Sequence, residues 1–87
     1  PPGFSEHHTG YALDIGDEDT PSTDLSQRFE NTEAWEWLAK HAPSYGFEMS
    51  FPRSHPCISY EPWHWRWVGD LEAQQTFQAA RELLLAQ

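Results

Sequence analysis

Residues 61–69 read EPWHWRWVG, and the parity of this stretch decides how the chain is arranged. HWRWV, over 64–68, has the aromatic and β-branched content of a strand. Side chains alternate across a strand, so Trp65 and Trp67 face one way while His64, Arg66 and Val68 face the other. The two tryptophans are the natural core anchors. A histidine and an arginine are thereby committed to the opposite face of a sheet. Glu61 precedes His64 by three residues, across Pro62. Proline favours an extended or turn conformation for Glu61, which breaks the parity and lets Glu61 and His64 aim at one point.

Working outward, YALDI at 11–15 has the same alternation. Tyr11, Leu13 and Ile15 take one face and leave Asp14 beside the small Ala12 on the other. Two strands therefore each offer a polar, ligand-type residue to what can be a shared face. FEMSF at 47–51 alternates as a further strand, with Phe47, Met49 and Phe51 expected inward. Residues 1–10 and the acidic run 16–23 read as loop, and DLSQRF adds at most one helical turn. A helix is expected from Asn31 or Thr32, carrying Trp35, Leu38 and Ala42 on one face and closed by Pro43 and Gly46. Asp70 is expected to cap a last helix over 71–87, with Leu71, Phe77, Ala80 and Leu84 as its apolar stripe. The fold class is α+β: a small antiparallel sheet of three to four strands with two main helices packed on it.

The 87 residues make one small domain over 1–87. A chain of this size buries only about 60% of its unfolded surface. Fourteen acidic residues against five basic ones give a net charge of −9. That balance excludes nucleic acid as a partner, because phosphate binding needs a basic stripe. No stretch approaches the roughly 20 apolar residues of a membrane span. The single cysteine, Cys57, allows neither an internal disulfide nor a cysteine-rich metal site.

His7 lies seven residues before Asp14, a gap of roughly 23 Å if extended. Both can reach one ion only if the chain turns between them, and Gly10 is where it can. Zinc accepts imidazole nitrogen and carboxylate oxygen, and catalytic sites keep three protein ligands with a fourth position open. His7, Asp14 and His64 supply three, which leaves Glu61 as a base. Each of these residues alone reads more simply as surface decoration.

Taken together they read otherwise. SEHHTGYALD at 5–14 fits S-x-H-x-x-G-x-A-x-D at Ser5, His7, Gly10, Ala12 and Asp14, and EPWH fits its companion motif. The pair resembles the zinc D-alanyl-D-alanine carboxypeptidases and dipeptidases, the family of the vancomycin-resistance D,D-peptidases, whose general fold is shared with the Hedgehog signalling domain. YGFEMSFP between the motifs resembles that family's helix-to-strand passage. The resemblance implies one zinc ion on His7, Asp14 and His64, with Glu61 as general base. It places Ser5 near the substrate's terminal carboxylate. Asp24 matches an acidic residue on the substrate's amino side, with helix capping as an equal alternative. His8, His41 and His55 match nothing.

The implied substrate is a peptidoglycan stem peptide or precursor ending in D-Ala-D-Ala, cut by a monomeric enzyme of the bacterial cell envelope or periplasm. Family domains also extend upstream, where an arginine stabilises the developing oxyanion. On this reading the chain is either a catalytic core lacking that part or a reduced member. Arg66, followed by Arg53, is the expected stand-in for the arginine, which makes Arg66 a candidate substrate-binding residue. Two other readings stand beside this one. A non-catalytic peptide- or protein-binding module of the same fold would have no need of Glu61. A lysostaphin-type endopeptidase would carry an H-x-H signature that is absent here.

Overall fold

The structure is a computed structural model that describes residues 6–53 and 58–85. Its elements in chain order are strand β1 (Ala12–Asp14), helix α1 (Glu33–His41), strands β2 (Phe47–Met49) and β3 (His64–Trp67), and helices α2 (Leu71–Thr76) and α3 (Gln78–Leu85). The expected α+β architecture is what forms. The sheet has three strands in the order β1-β3-β2, both pairings antiparallel. EPWHWRWVG thus supplies the central strand.

Register follows the parity of that strand. Asp14 pairs with His64, Ala12 with Arg66, and Glu48 with Arg66. Directly opposed residues share a face, so Asp14, His64, Arg66 and Glu48 form one polar face. Leu13, Trp65 and Met49 form the other. Trp65 is only 2% exposed, and it lines an apolar cavity with Leu38 and Ala42 of the α1 region. Helix α1 therefore covers the tryptophan face. The α2–α3 segment covers the polar face, where the Phe77 ring lies 5.5 Å from the Arg66 guanidinium.

Local signals explain the boundaries. Thr32 caps α1 by accepting a hydrogen bond from the Trp35 amide at 3.1 Å, and Asp70 caps α2 by accepting one from the Ala73 amide at 2.8 Å. After α1 a short turn over Ala42–Tyr45 closes on Gly46, whose φ of +88° suits glycine. A Cβ there would also sit 2.8 Å from the Trp67 indole nitrogen.

Three expectations are corrected. The last helix is not continuous: Phe77 leaves helical geometry, at φ −103° and ψ 11°, and separates α2 from α3. Hydrogen bonds from the Phe77 amide to Ala73 and from the Arg81 amide to Phe77 still bridge the join, so the result is a bend. Ala73 and Phe77 are buried, while Leu71, expected in the apolar stripe, is 67% exposed. Finally, β2 stops at Met49, and Phe51 packs on the His64 ring with centroids 5.0 Å apart. Phe51 therefore belongs to the polar side and not to the face of Phe47 and Met49. Phe29, fully buried in a short turn over Gln27–Asn31, is a core residue that periodicity did not reveal. Among the described residues no helix is long and apolar enough to cross a membrane.

Candidate metal centre

The pairing of β1 with β3 fixes the first two members of the site. Because Asp14 and His64 stand opposite each other, His64 Nδ1 comes to 3.1 Å from Asp14 Oδ1. The third member arrives through a turn. Residues Glu6–Thr9 form one turn of 3-10 helix, and Gly10 reverses the chain at φ +80°. The Gly10 amide donates to the His7 carbonyl at 3.3 Å, and the Thr9 hydroxyl donates to the Glu6 carbonyl at 2.6 Å. This turn carries His7 back over β1, so that its Nε2 lies 3.3 Å from the same Asp14 oxygen. The imidazoles of His7 and His64 meet edge to face, centroids 4.8 Å apart.

One ligand atom from each of His7, Asp14 and His64 lies within 4.8 Å of the others. Two imidazole nitrogens and a carboxylate oxygen converging this closely match the donors zinc prefers. His64 is buried, whereas His7 and Asp14 are exposed. A centre built from them would thus be anchored in the sheet and open to solvent on one side.

Glu61 lines the same cavity of about 690 Å³ as these three residues, beside Phe51, Ile58 and Trp63. Its amide donates to the Phe51 carbonyl at 3.0 Å, and its carbonyl accepts from the His64 amide at 3.3 Å. Burial raises the Glu61 carboxyl above its ordinary value, and the Asp14 and Glu6 charges add to this while His64 and His7 oppose it. A cation among the three donors would act in the opposite direction.

Glu6 is the participant that sequence reasoning missed. Its Oε1 lies 2.9 Å from His64 Nε2 and accepts from the Ser50 hydroxyl at 2.5 Å. Its Oε2 accepts from Arg66 Nη1 at 3.0 Å. Burial alone would raise this carboxyl, but the hydrogen bonds from His64 and Ser50 and the Arg66 charge hold it down at about 2. His64 responds in the opposite sense. Burial would lower its pKa, yet the carboxylates of Glu6 and Asp14 raise it.

Arg66 shares the polar face as expected, but it has no surface to offer a substrate. It is 1% exposed and held by Glu6 on one side and Glu48 on the other. Its Nε donates to Glu48 Oε2 at 2.9 Å, while Nη2 approaches the same oxygen at 2.8 Å outside hydrogen-bond geometry. Glu48 also accepts from Arg81 of α3 at 3.2 Å. This burial argues against the substrate-binding role read for Arg66 and for a structural one beneath the site. Arg53 is exposed and paired with Glu30 at 2.7 Å. Asp24 stands against Gly16, where a Cβ would come within 2.6 Å of its Oδ1. It does not line the cavity of His7 and His64, and the nearby turn is capped by Ser26 instead. Ser5, His55 and Cys57 lie outside the described residues.

Residues 1–70 match the family model described as VanY, D-alanyl-D-alanine carboxypeptidase. The chain belongs to this family. It is 38% identical over 76 residues to the putative carboxypeptidase YodJ of Bacillus subtilis (strain 168), covering 84% of this chain and 28% of that protein. It is also 38% identical over 72 residues to VanXYC of Enterococcus gallinarum, a bifunctional D-Ala-D-Ala dipeptidase and carboxypeptidase, covering 78% and 38%. The solved structure of the LdcB LD-carboxypeptidase superposes with a TM-score of 0.68 at 35% identity, over 95% of this chain and 39% of that one. The chain thus spans well under half the length of each of these relatives.

Proposed function

We propose that this chain carries the catalytic centre of a zinc carboxypeptidase that removes the terminal D-alanine from peptidoglycan stem peptides in the bacterial cell envelope. The observation that carries the reading is the convergence of His7, Asp14 and His64 on one cavity that Glu61 also lines. Family membership supports the same chemistry.

When bound, zinc supplies a Lewis acid for the scissile carbonyl and brings its water to a pKa of about 7. The chain's own residues do the rest. Glu61 takes a proton from the attacking water and delivers it to the departing D-alanine amine, so one carboxyl serves as base and then as acid. Phe51, Ile58 and Trp63 give the cavity an apolar lining beside this carboxylate. Such walls exclude bulk water and strengthen electrostatic interactions at the reacting atoms.

The relatives' names divide over the penultimate residue, D-Ala-D-Ala for VanXYC and an LD-carboxypeptidase for the solved neighbour. The test is release of D-alanine from two stem peptides, a pentapeptide ending in D-Ala-D-Ala and a tetrapeptide ending in an L,D bond. Zinc-dependent release from the pentapeptide, abolished by chelation, is expected. Release from the tetrapeptide alone would overturn the D,D assignment. Tight zinc binding with no release from either would favour a binding module of the same fold.

A further inference from the structure

His64 is held from both ends of its ring. Nδ1 faces Asp14 at 3.1 Å, and Nε2 faces Glu6 at 2.9 Å. The ring is buried, with its side chain 6% exposed, and it packs against Phe51 and His7. The partner of each nitrogen is therefore set by the protein and not by water. Glu6 is equally constrained, since both of its oxygens are engaged, by Ser50 and by Arg66. Arg66 in turn reaches Glu48, which reaches Arg81 on α3. A chain of charges thus runs from the His64 ring through the sheet to the C-terminal helix.

We propose that Glu6 is the positioning residue of the metal centre: it holds His64 with the proton on Nε2, so that Nδ1 is the nitrogen presented beside His7 and Asp14. A neutral imidazole carries one proton, and the nitrogen that keeps it cannot bind a metal. A carboxylate acceptor on Nε2 keeps the proton there, fixes the ring plane and raises the basicity of the other nitrogen. Ser50 and Arg66 hold Glu6 for this task, which accounts for a buried arginine beneath the site. Glu6 touches no reacting atom in this scheme.

This inference rests on the zinc reading above, and the experiment separates the two. Zinc affinity is measured by competition with a chromogenic chelator for the wild type and for Glu6→Gln, which preserves shape and removes the charge. The 15N shifts of the His64 ring are recorded in the zinc-loaded wild type. Glu6→Gln should bind zinc about 10–100-fold more weakly, the usual cost of losing such a partner. The wild-type spectrum should show Nε2 protonated and Nδ1 on the metal. Equal affinity in the folded variant, or a spectrum with Nε2 on the metal, overturns the role of Glu6 while leaving the zinc centre in place. Failure of the wild type to bind zinc overturns both. If Glu6→Gln does not fold, the wild-type spectrum decides alone.

Discussion

Glu61→Gln is expected to lower hydrolysis of a D-Ala-D-Ala peptide by roughly 10²–10⁴, the usual contribution of a positioned general base. Zinc should remain bound with unchanged affinity, because Glu61 lies outside the trio of His7, Asp14 and His64 that converge. The fold should also persist. Glu61 is anchored through its backbone, with its amide on Phe51 and its carbonyl on His64, and glutamine leaves those bonds intact. The loss should appear in kcat and in kcat/KM alike, since proton transfer belongs to the transition state and not to substrate binding. Steady-state kinetics with metal content measured on the same sample make the check. A variant that loses its metal would show that Glu61 is a ligand, and one that keeps full activity would show that the base lies elsewhere.

The second large effect is on stability. Arg66→Met should destabilise the chain by about 3–5 kcal/mol, the range observed when one partner of a buried ion pair is removed. The variant leaves Glu6 and Glu48 facing each other's charge across an apolar side chain, with Glu6 only 16% exposed. A chain of this length is expected to have about 4–13 kcal/mol of stability in all, so the loss is a large fraction of the total and should move the unfolding midpoint well down. Denaturant titration followed by tryptophan fluorescence reads this directly. An arginine serving the oxyanion would behave otherwise, leaving the unfolding midpoint where it was and lowering only kcat/KM. Unchanged stability in Arg66→Met would restore the substrate-binding role that its burial argues against.

The alternation in 64–68 and 11–15 was enough to put Asp14 and His64 on one face, and the register then sets them directly opposite each other. Gly10 was legible as the turn because no other residue between His7 and Asp14 adopts positive φ as readily, and φ there is +80°. Glu6 was not legible. It occupies an unspecified position of its motif, in a segment that reads as loop, and an acid in a loop is ordinarily solvated. A signal did exist, however. Arg66 alternates with two tryptophans in a central strand, and a buried arginine demands carboxylate partners, so two acids had to be sought for it. Glu48, one position from Phe47 and Met49 in an alternating strand, satisfies the parity requirement. Glu6 lies 60 residues away, and only the fold brings it there. The bend at Phe77 was not legible either. No proline or glycine in 71–85 announces it.

The measurement that bears most directly on the metal centre is anomalous diffraction at the zinc edge from crystals of the zinc-loaded protein. A single strong peak is predicted, about 2.0–2.2 Å from a nitrogen of His7, an oxygen of Asp14 and a nitrogen of His64. A zinc peak elsewhere, or none at these three side chains in fully loaded protein, would contradict the account.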